Sequence, residues 1–412
     1  MKKQESPGFS RGEQVNPIWR GYWLHPVTGQ RGARMPLVGD GPGAWSVPVN
    51  GIEGWRPRVA KRGGTDPVSG VRTAGLLDVE SHWWQPWAGG AALTLEIPGL
   101  LVESPWLAGP VVRPPQDGGS GVVELEIAGI GAVLQHRVIT WTDFGPGDEE
   151  LLQGSQVVLA GMGLGELLEH IVYHATGVKR HGGLPIVPVM PRESAPGQES
   201  RYYGWNLAGN GCWSVVSEIA ERVAGPDLML VPAWADDDRG RVVWELWRGN
   251  GAQPGIPQSQ MWTFDPTVPR SGVVSATSTV AQPEPCNRAY AVGAGGGAGI
   301  ATVIRQDLDG LEVWEPLLER VVSVPDTDDP ELLAAAADSA VAGGRRPLVQ
   351  LTLEVAWETA AGFRPGWTAD VVVADHLYLP DGVYPMVCVA AKSGSAGTVV
   401  LEMQPVEGVA LW

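Results

Sequence analysis

Between residues 202 and 234 the chain reads YYGWNLAGNGCWSVVSEIAERVAGPDLMLVPAW, which sets aromatic rings, two asparagines, a lone Cys212 and Ser214 beside one short helix. These are residue types that nucleophilic chemistry uses. The spacing favours packing instead. Ser214 is placed to cap a helix whose Val215, Val216, Ile219, Ala220 and Val223 recur at three- and four-residue steps, and Gly225-Pro226 stops it. On that reading Cys212 is a small buried residue, and Asn206 and Asn210 are turn formers.

Other candidates fail on context. His170 and His174 stand four apart on a second helix, as zinc ligands often do, but the segment HIVYH lacks the Glu that follows the first His in the metalloprotease motif. No third ligand is evident, and at about 100° per residue both rings fall beside the apolar stripe, so they read as a helix flank. Residues 293–299, GAGGGAG, match a dinucleotide fingerprint loosely through Gly293, Gly295 and Ala298. A phosphate-cradling loop must open a helix, whereas residues 300–304 are β-branched and strand-like, so this is a glycine-rich hairpin loop. His181-Gly182-Gly183 is similar to an esterase oxyanion loop, yet the chain has no GxSxG elbow and no P-loop. The acidic turns at 236–238 and 326–329 lack the spaced ligands and closing Glu of an EF-hand. Glu80, Glu96, Asp117, Glu124 and Glu126 supply carboxylates for glycoside hydrolysis, and nothing in their spacing singles out a pair. The expectation is that no residue is catalytic, none binds a cofactor and none holds a metal.

The elements around these groups fall into parts. Residues 1–18 are polar, with Gly and Pro, and predict a flexible or partner-ordered arm. Residues 19–141 read as an all-β, barrel-like domain, with strands at 22–25, 34–37, 91–97, 111–113, 122–127 and 133–140 and exposed loops at 39–43 and 114–121. Residues 142–271 are mixed α+β. Leu164, Leu167, Leu168, Ile171, Val172 and Ala175 trace a helix that Gly177 ends, a long connection spans 185–200, and the helix that Ser214 caps and Gly225-Pro226 stops precedes a hairpin of 228–234 and 242–247. Residues 272–412 return to β, with strands at 273–280, 288–292, 300–305 and 311–315. One helix at about 329–342 opens on Pro330 and stops at Gly343-Gly344. Val349, Leu351, Leu353 and Val355 then alternate with polar residues, and 368–374, 383–391 and 398–404 form a meander suited to a second small barrel.

At 412 residues and 44% hydrophobic the chain is long enough for about two to three domains. A net charge of −17 argues against a surface for nucleic acid or anionic membrane, which needs a clustered basic footprint. No apolar run reaches roughly 18 residues and the first sixteen are polar, so neither a membrane span nor a signal peptide is expected. Cys212, Cys286 and Cys388 are scattered, which fits reduced, buried thiols. Tryptophan is in excess, 19 against 4 Phe, and the main expectation is that these rings pack sheet cores and domain seams. Subunit interfaces are a second use. Trp83, Trp84, Trp87 and Trp106, in a loop-rich β region, motivate the alternative of a carbohydrate-binding adhesin.

The order of these parts, with AGPVV at 108–112, VELEIAGIGAVLQHRVI at 123–139, the 201–234 segment, PRSGVVS at 269–275, RAYAVGAG at 288–295, PLLERVVS at 316–323 and LPDGVYPMVCV at 379–389, resembles the baseplate-hub or minor tail protein family of long-tailed (siphovirus) bacteriophages that infect actinobacteria. The resemblance covers most of the chain from about residue 21. It implies a virion protein of the tail tip, made in the host cytoplasm, in which three chains form a ring and two barrel-like domains per chain make a pseudo-sixfold surface. Such a hub joins the distal tail ring and tape-measure protein to other minor tail proteins or fibres and opens for DNA passage without holding nucleic acid. It implies no enzyme activity.

Overall fold

The computed structural model describes residues 16–39, 41–66, 69–117, 119, 121–193, 198–222, 225–281, 285–308, 316–324, 328–345, 348–377, 379–395 and 397–406. In chain order, the first part holds β1 (Ile18–Leu24), β2 (Arg31–Met35), β3 (Ala44–Pro48), β4 (Gly54–Arg56), β5 (Arg58–Ala60), β6 (Gly90–Ile97), β7 (Leu101–Pro110), β8 (Gln116–Asp117), β9 (Val122–Glu124), β10 (Ile127–Ala128) and the one-turn helix α1 (Gly131–Leu134). The middle part holds α2 (Glu149–Gly154), β11 (Gln156–Met162), α3 (Leu164–Thr176), β12 (Ile186–Pro188), β13 (Gln198–Tyr203), α4 (Cys212–Ala220), β14 (Leu228–Trp234) and β15 (Val242–Arg248). The last holds β16 (Thr263–Phe264), β17 (Val273–Ala281), β18 (Arg288–Val292), β19 (Thr302–Gln306), β20 (Glu319–Ser323), α5 (Pro330–Arg345), β21 (Leu348–Ala356), β22 (Thr368–Val373), β23 (Gly382–Ser393) and β24 (Thr398–Pro405). The chain is mainly β with a mixed α+β middle.

The period-two alternation of β21 does what it predicts. Val349, Leu351, Leu353 and Val355 are buried, and Leu353 stands opposite Leu401 of β24. β22, β23 and β24 form the expected meander, and β21 and β17 extend it on the β24 side. On the other side the sheet continues into the first part of the chain: β23 pairs with β3, then β4, then β10. A second sheet, in the order β2-β1-β6-β7, lies over it, and one apolar core unites Trp23, Leu93 and Trp106 with Leu353, Leu401 and Met403. A second core centres on the middle part, where α3 and α4 bury Leu168, Ile171, Val216 and Ile219 with Trp244 and Leu246 of β15, and it takes in Leu24, Ala92, Ala108, Ile130 and Leu134 from the first part. A third, small core sets Leu333 and Ala337 of α5 on Ala289 and Ala291 of β18.

Several elements depart from expectation. The strand expected at 133–140 is instead α1 followed by irregular chain, because Ile130 and Leu134, four apart, are both fully buried on one side. Helix α4 starts at Cys212 on an extended Gly211, so Ser214 lies inside its first turn and caps nothing. Helix α5 begins as predicted, with Asp329 Oδ1 accepting from the Glu331 N–H at 2.8 Å, but runs through Gly343-Gly344 to Arg345. The strand expected at 111–113 is β7 ending at Pro110, with Val111 bridging Ile127. Val223, the strand expected at 311–315, two residues of the 326–329 turn and residues 1–15 of the arm lie outside the described residues.

β7 is the end strand of its sheet, and three of its carbonyls are taken by side chains from later in the chain. Trp234 Nε1 donates to Glu103 O at 3.2 Å, Arg364 Nη2 to Pro105 O at 3.2 Å and Trp244 Nε1 to Ala108 O at 3.1 Å. β17 is the opposite case. It ends the nine-stranded sheet, residues 274–279 are exposed, and its sequence VVSATSTVA carries no charge or proline to blunt an open edge.

Candidate functional site

Indoles gather where parts of the chain meet. Trp19 of β1, Trp45 of β3, Trp106 of β7 and Trp357, just after β21, pack with centroids 5.2–6.1 Å apart, mostly edge to face. The Arg364 guanidinium lies 4.2 Å over Trp106, and burial pushes its pKa down to about 10, so it stays charged at neutral pH. A second group stacks Trp247 of β15 on Trp367 at 5.9 Å and 12°, joining the middle and last parts, with Phe363 edge-on to Trp367. A side chain–backbone tie adds to these seams: Asn50, at φ 55°, donates to Asp227 Oδ1 at 2.8 Å and accepts from the Leu228 N–H at 2.7 Å.

At the end of β15, Arg248 is 2% exposed and donates to Glu169 Oε1 at 2.7 Å and Glu193 Oε1 at 2.9 Å. It also reaches Pro191 O at 3.2 Å, and Glu193 Oε1 accepts from the Glu166 N–H at 2.8 Å. This buried network binds Pro191 and Glu193 to α3 and to the end of β15. With both carboxylates and a carbonyl on a guanidinium that is 2% exposed, the network is a tie between elements.

A third arrangement is open to solvent. A cleft of about 620 Å³ lies between the β3–β4 turn, β10, α1 and the loop before β6. Glu53 is among its lining residues; its side chain is 5% exposed, and burial pushes its carboxyl up to about 7. Gly129 leaves room for that carboxyl, because a Cβ there would sit 1.7 Å from Glu53 Oε2. Arg56 and Arg113 flank the cleft and share Glu126, at 3.5 and 3.3 Å. Trp87 and His136 also line it, with ring centroids 4.8 Å apart and edge to face.

The residues singled out from sequence are scattered. His170 and His174 flank the buried stripe of α3; the His174 Nδ1–H donates to Thr140 O at 3.1 Å, Trp141 stacks on the ring, and burial lowers its pKa. His181-Gly182-Gly183 is a turn after α3, with Gly182 N–H donating to Lys179 O. Residues 293–299 connect β18 to its antiparallel neighbour β19, the hairpin loop expected. In the 236–238 turn Asp236 Oδ1 accepts from the Gly240 N–H at 3.2 Å. Glu80, Glu96, Asp117 and Glu126 each face a separate basic partner rather than one another. The three thiols are buried, which pushes Cys212 up to about 12 and raises Cys388. Asn210 is more than a turn former: it is 3% exposed and donates to Tyr203 O at 2.9 Å. Among the described residues no cluster of three His, Cys, Asp or Glu is close enough to hold a metal, and no helix is long and apolar enough to cross a membrane.

The four tryptophans of the adhesin alternative part company. Trp106 is in the core, Trp84 Nε1 donates to Leu76 O at 3.0 Å, Trp83 lies over Gly32, and only Trp87 is exposed. Sequence reasoning missed Glu53, Arg248 and Arg364. Arg248 and Arg364 follow tryptophan or aromatic-rich runs, a weak signal, and Glu53 has none.

No protein-family model matches this chain, and no curated protein matches it in sequence. Solved structures do match. The 43 kDa tail protein of prophage MuSo2 from Shewanella oneidensis is 10% identical, with 93% of this chain and 98% of that one covered at a TM-score of 0.50. The tail protein from Neisseria meningitidis MC58 is 12% identical over 94% and 96%, at 0.49. Prophage tail protein gp18 from Listeria monocytogenes EGD-e is 8% identical over 95% and 96%, at 0.46. At such identities the likeness shows fold alone, and the MuSo2 protein carries it: this chain has a phage tail-protein fold along nearly its whole length.

Proposed function

We propose that this protein is a structural component of a bacteriophage tail, the hub at the tail tip of a long-tailed phage of actinobacteria. The observation that carries the reading is the fold shared with the MuSo2 tail protein over 93% of this chain. In the proposal three chains form a ring, in which residues 19–141 and 272–412 supply two β domains per chain and residues 142–271 sit between them. The ring joins the distal tail ring and tape measure to fibres or other minor tail proteins, lets DNA pass, and has no catalytic activity. The uncharged β17 supports it, because among the described residues its outer edge pairs with no strand and so offers a surface for a neighbouring chain in a head-to-tail ring.

Light scattering after size exclusion, at several concentrations and salt levels, tests the ring. The expected species has about three times the 43.7 kDa chain mass, and Val274→Lys with Thr277→Lys reduces it to a monomer of unchanged thermal stability. A wild-type chain that is monomeric at every concentration refutes an intrinsic ring.

A further inference from the structure

We propose that the cleft beside Trp87 is a saccharide-binding site that takes a neutral sugar chain, its ring stacked on the indole and its hydroxyls bonded to Glu53 and the flanking Arg and Gln side chains. The inference does not rest on the hub reading.

Trp87 is the first reason. Its φ is 64°, a left-handed backbone that a bulky side chain rarely adopts and that costs free energy. Core packing does not offset that cost, because the side chain is 44% exposed. The conformation is held by the Trp87 N–H donating to Val111 O at 2.8 Å, and the effect is to present the ring at the cleft beside His136. Its neighbours Trp83 and Trp84, only a few residues away, turn inward. A strained, exposed aromatic at the rim of a cleft has the geometry of a platform rather than of packing.

The lining is the second. Among the described residues no donor from another residue reaches the Glu53 carboxyl, although it is nearly fully buried. The hydrogen bond it does receive comes from its own backbone N–H, and a ligand hydroxyl adds a donor from outside the residue. Gln135 adds an amide. The volume falls within the range of about 300–1,000 Å³ typical of small-ligand sites.

The chemistry of the lining selects the ligand class. A purely apolar ligand strands Glu53 and two guanidinium groups. A cation meets Arg56 and Arg113, while an anion competes with Glu126, which both arginines already share. A neutral polyhydroxyl ligand with one C–H face satisfies all of them: that face lies on the negative face of the indole, and the hydroxyls both donate and accept.

The test is titration of the full-length protein with defined neutral oligosaccharides, namely tetramers of N-acetylglucosamine, glucose and galactose, followed by calorimetry and by saturation-transfer NMR. At least one of them is expected to bind. Trp87→Ala and Glu53→Ala should each weaken it about tenfold or more. Trp87→Gly separates function from structure: glycine accepts the left-handed backbone, so the unfolding midpoint should hold or rise while binding is lost. No binding of any of the three sugars at millimolar concentration overturns the proposal. So does a Trp87→Gly protein that binds as wild type does, or one that loses its fold.

Discussion

Glu53 makes a sharp test of the packing around the cleft. Burial lifts its carboxyl from 4.5 to about 7, so between those values the folded chain keeps a proton that the unfolded chain has given up. A raised pKa means that its contribution is fully favourable below about pH 4.5 and is lost as the pH rises through about 7. Over that interval, at about 1.4 kcal/mol per pH unit, the loss comes to roughly 3 kcal/mol. Glu53→Gln removes the titration but keeps the shape. The variant should gain on the wild type steadily from about pH 4.5 to about pH 7, by roughly 3 kcal/mol in all, and then level off. Urea unfolding of both proteins across that range is the assay. Any fixed offset from the amide shifts the whole curve and leaves the difference in slope as the readout. Parallel stability curves refute the reasoning, because they mean that water or a nearby donor keeps the Glu53 carboxylate solvated in the fold.

Other outcomes follow from the same reasoning. Arg248→Met should cost roughly 3–5 kcal/mol by thermal or urea unfolding, since it leaves Glu193 and Glu169 facing each other's site without their cation, and adding Glu169→Gln and Glu193→Gln should restore much of the loss. Trp244→Phe keeps an aromatic ring but removes the donor to Ala108 O, and should cost about 2 kcal/mol. Cys212→Ala should lower stability by about 1 kcal/mol and leave assembly mass unchanged. Loss of assembly with the fold retained would contradict a packing role for this thiol.

Some of this was legible because it is local. The stripe of α3, the Asp329–Pro330 start of α5, the β14–β15 hairpin and the alternation of β21 each declare themselves within a dozen residues. What was hidden is non-local. β3, β4 and β10 are two to five residues long, too short for a periodic signal, and their place in the sheet of β23 depends on the β3–β23 pairing across more than three hundred residues. The 133–140 run is rich in β-formers, yet the burial of Ile130 and Leu134 together decides for a helical turn. The cleft was half legible. Trp87 stood out with its neighbours, but which of four tryptophans faces solvent depends on a backbone angle, and the depth of Glu53 depends on Gly129 from a distant strand end.

The side-chain donors on β7 bear on the order of synthesis. Trp234, Trp244 and Arg364 all leave the ribosome well after the strand they cover, the last of them more than two hundred and fifty residues later. Until then β7 presents carbonyls that another nascent chain can pair with, so its exposure outlasts the folding of its own sheet. Slow translation between the β7 and Arg364 codons should therefore raise the insoluble fraction more than an equal delay after Arg364, whatever the stability of the finished protein.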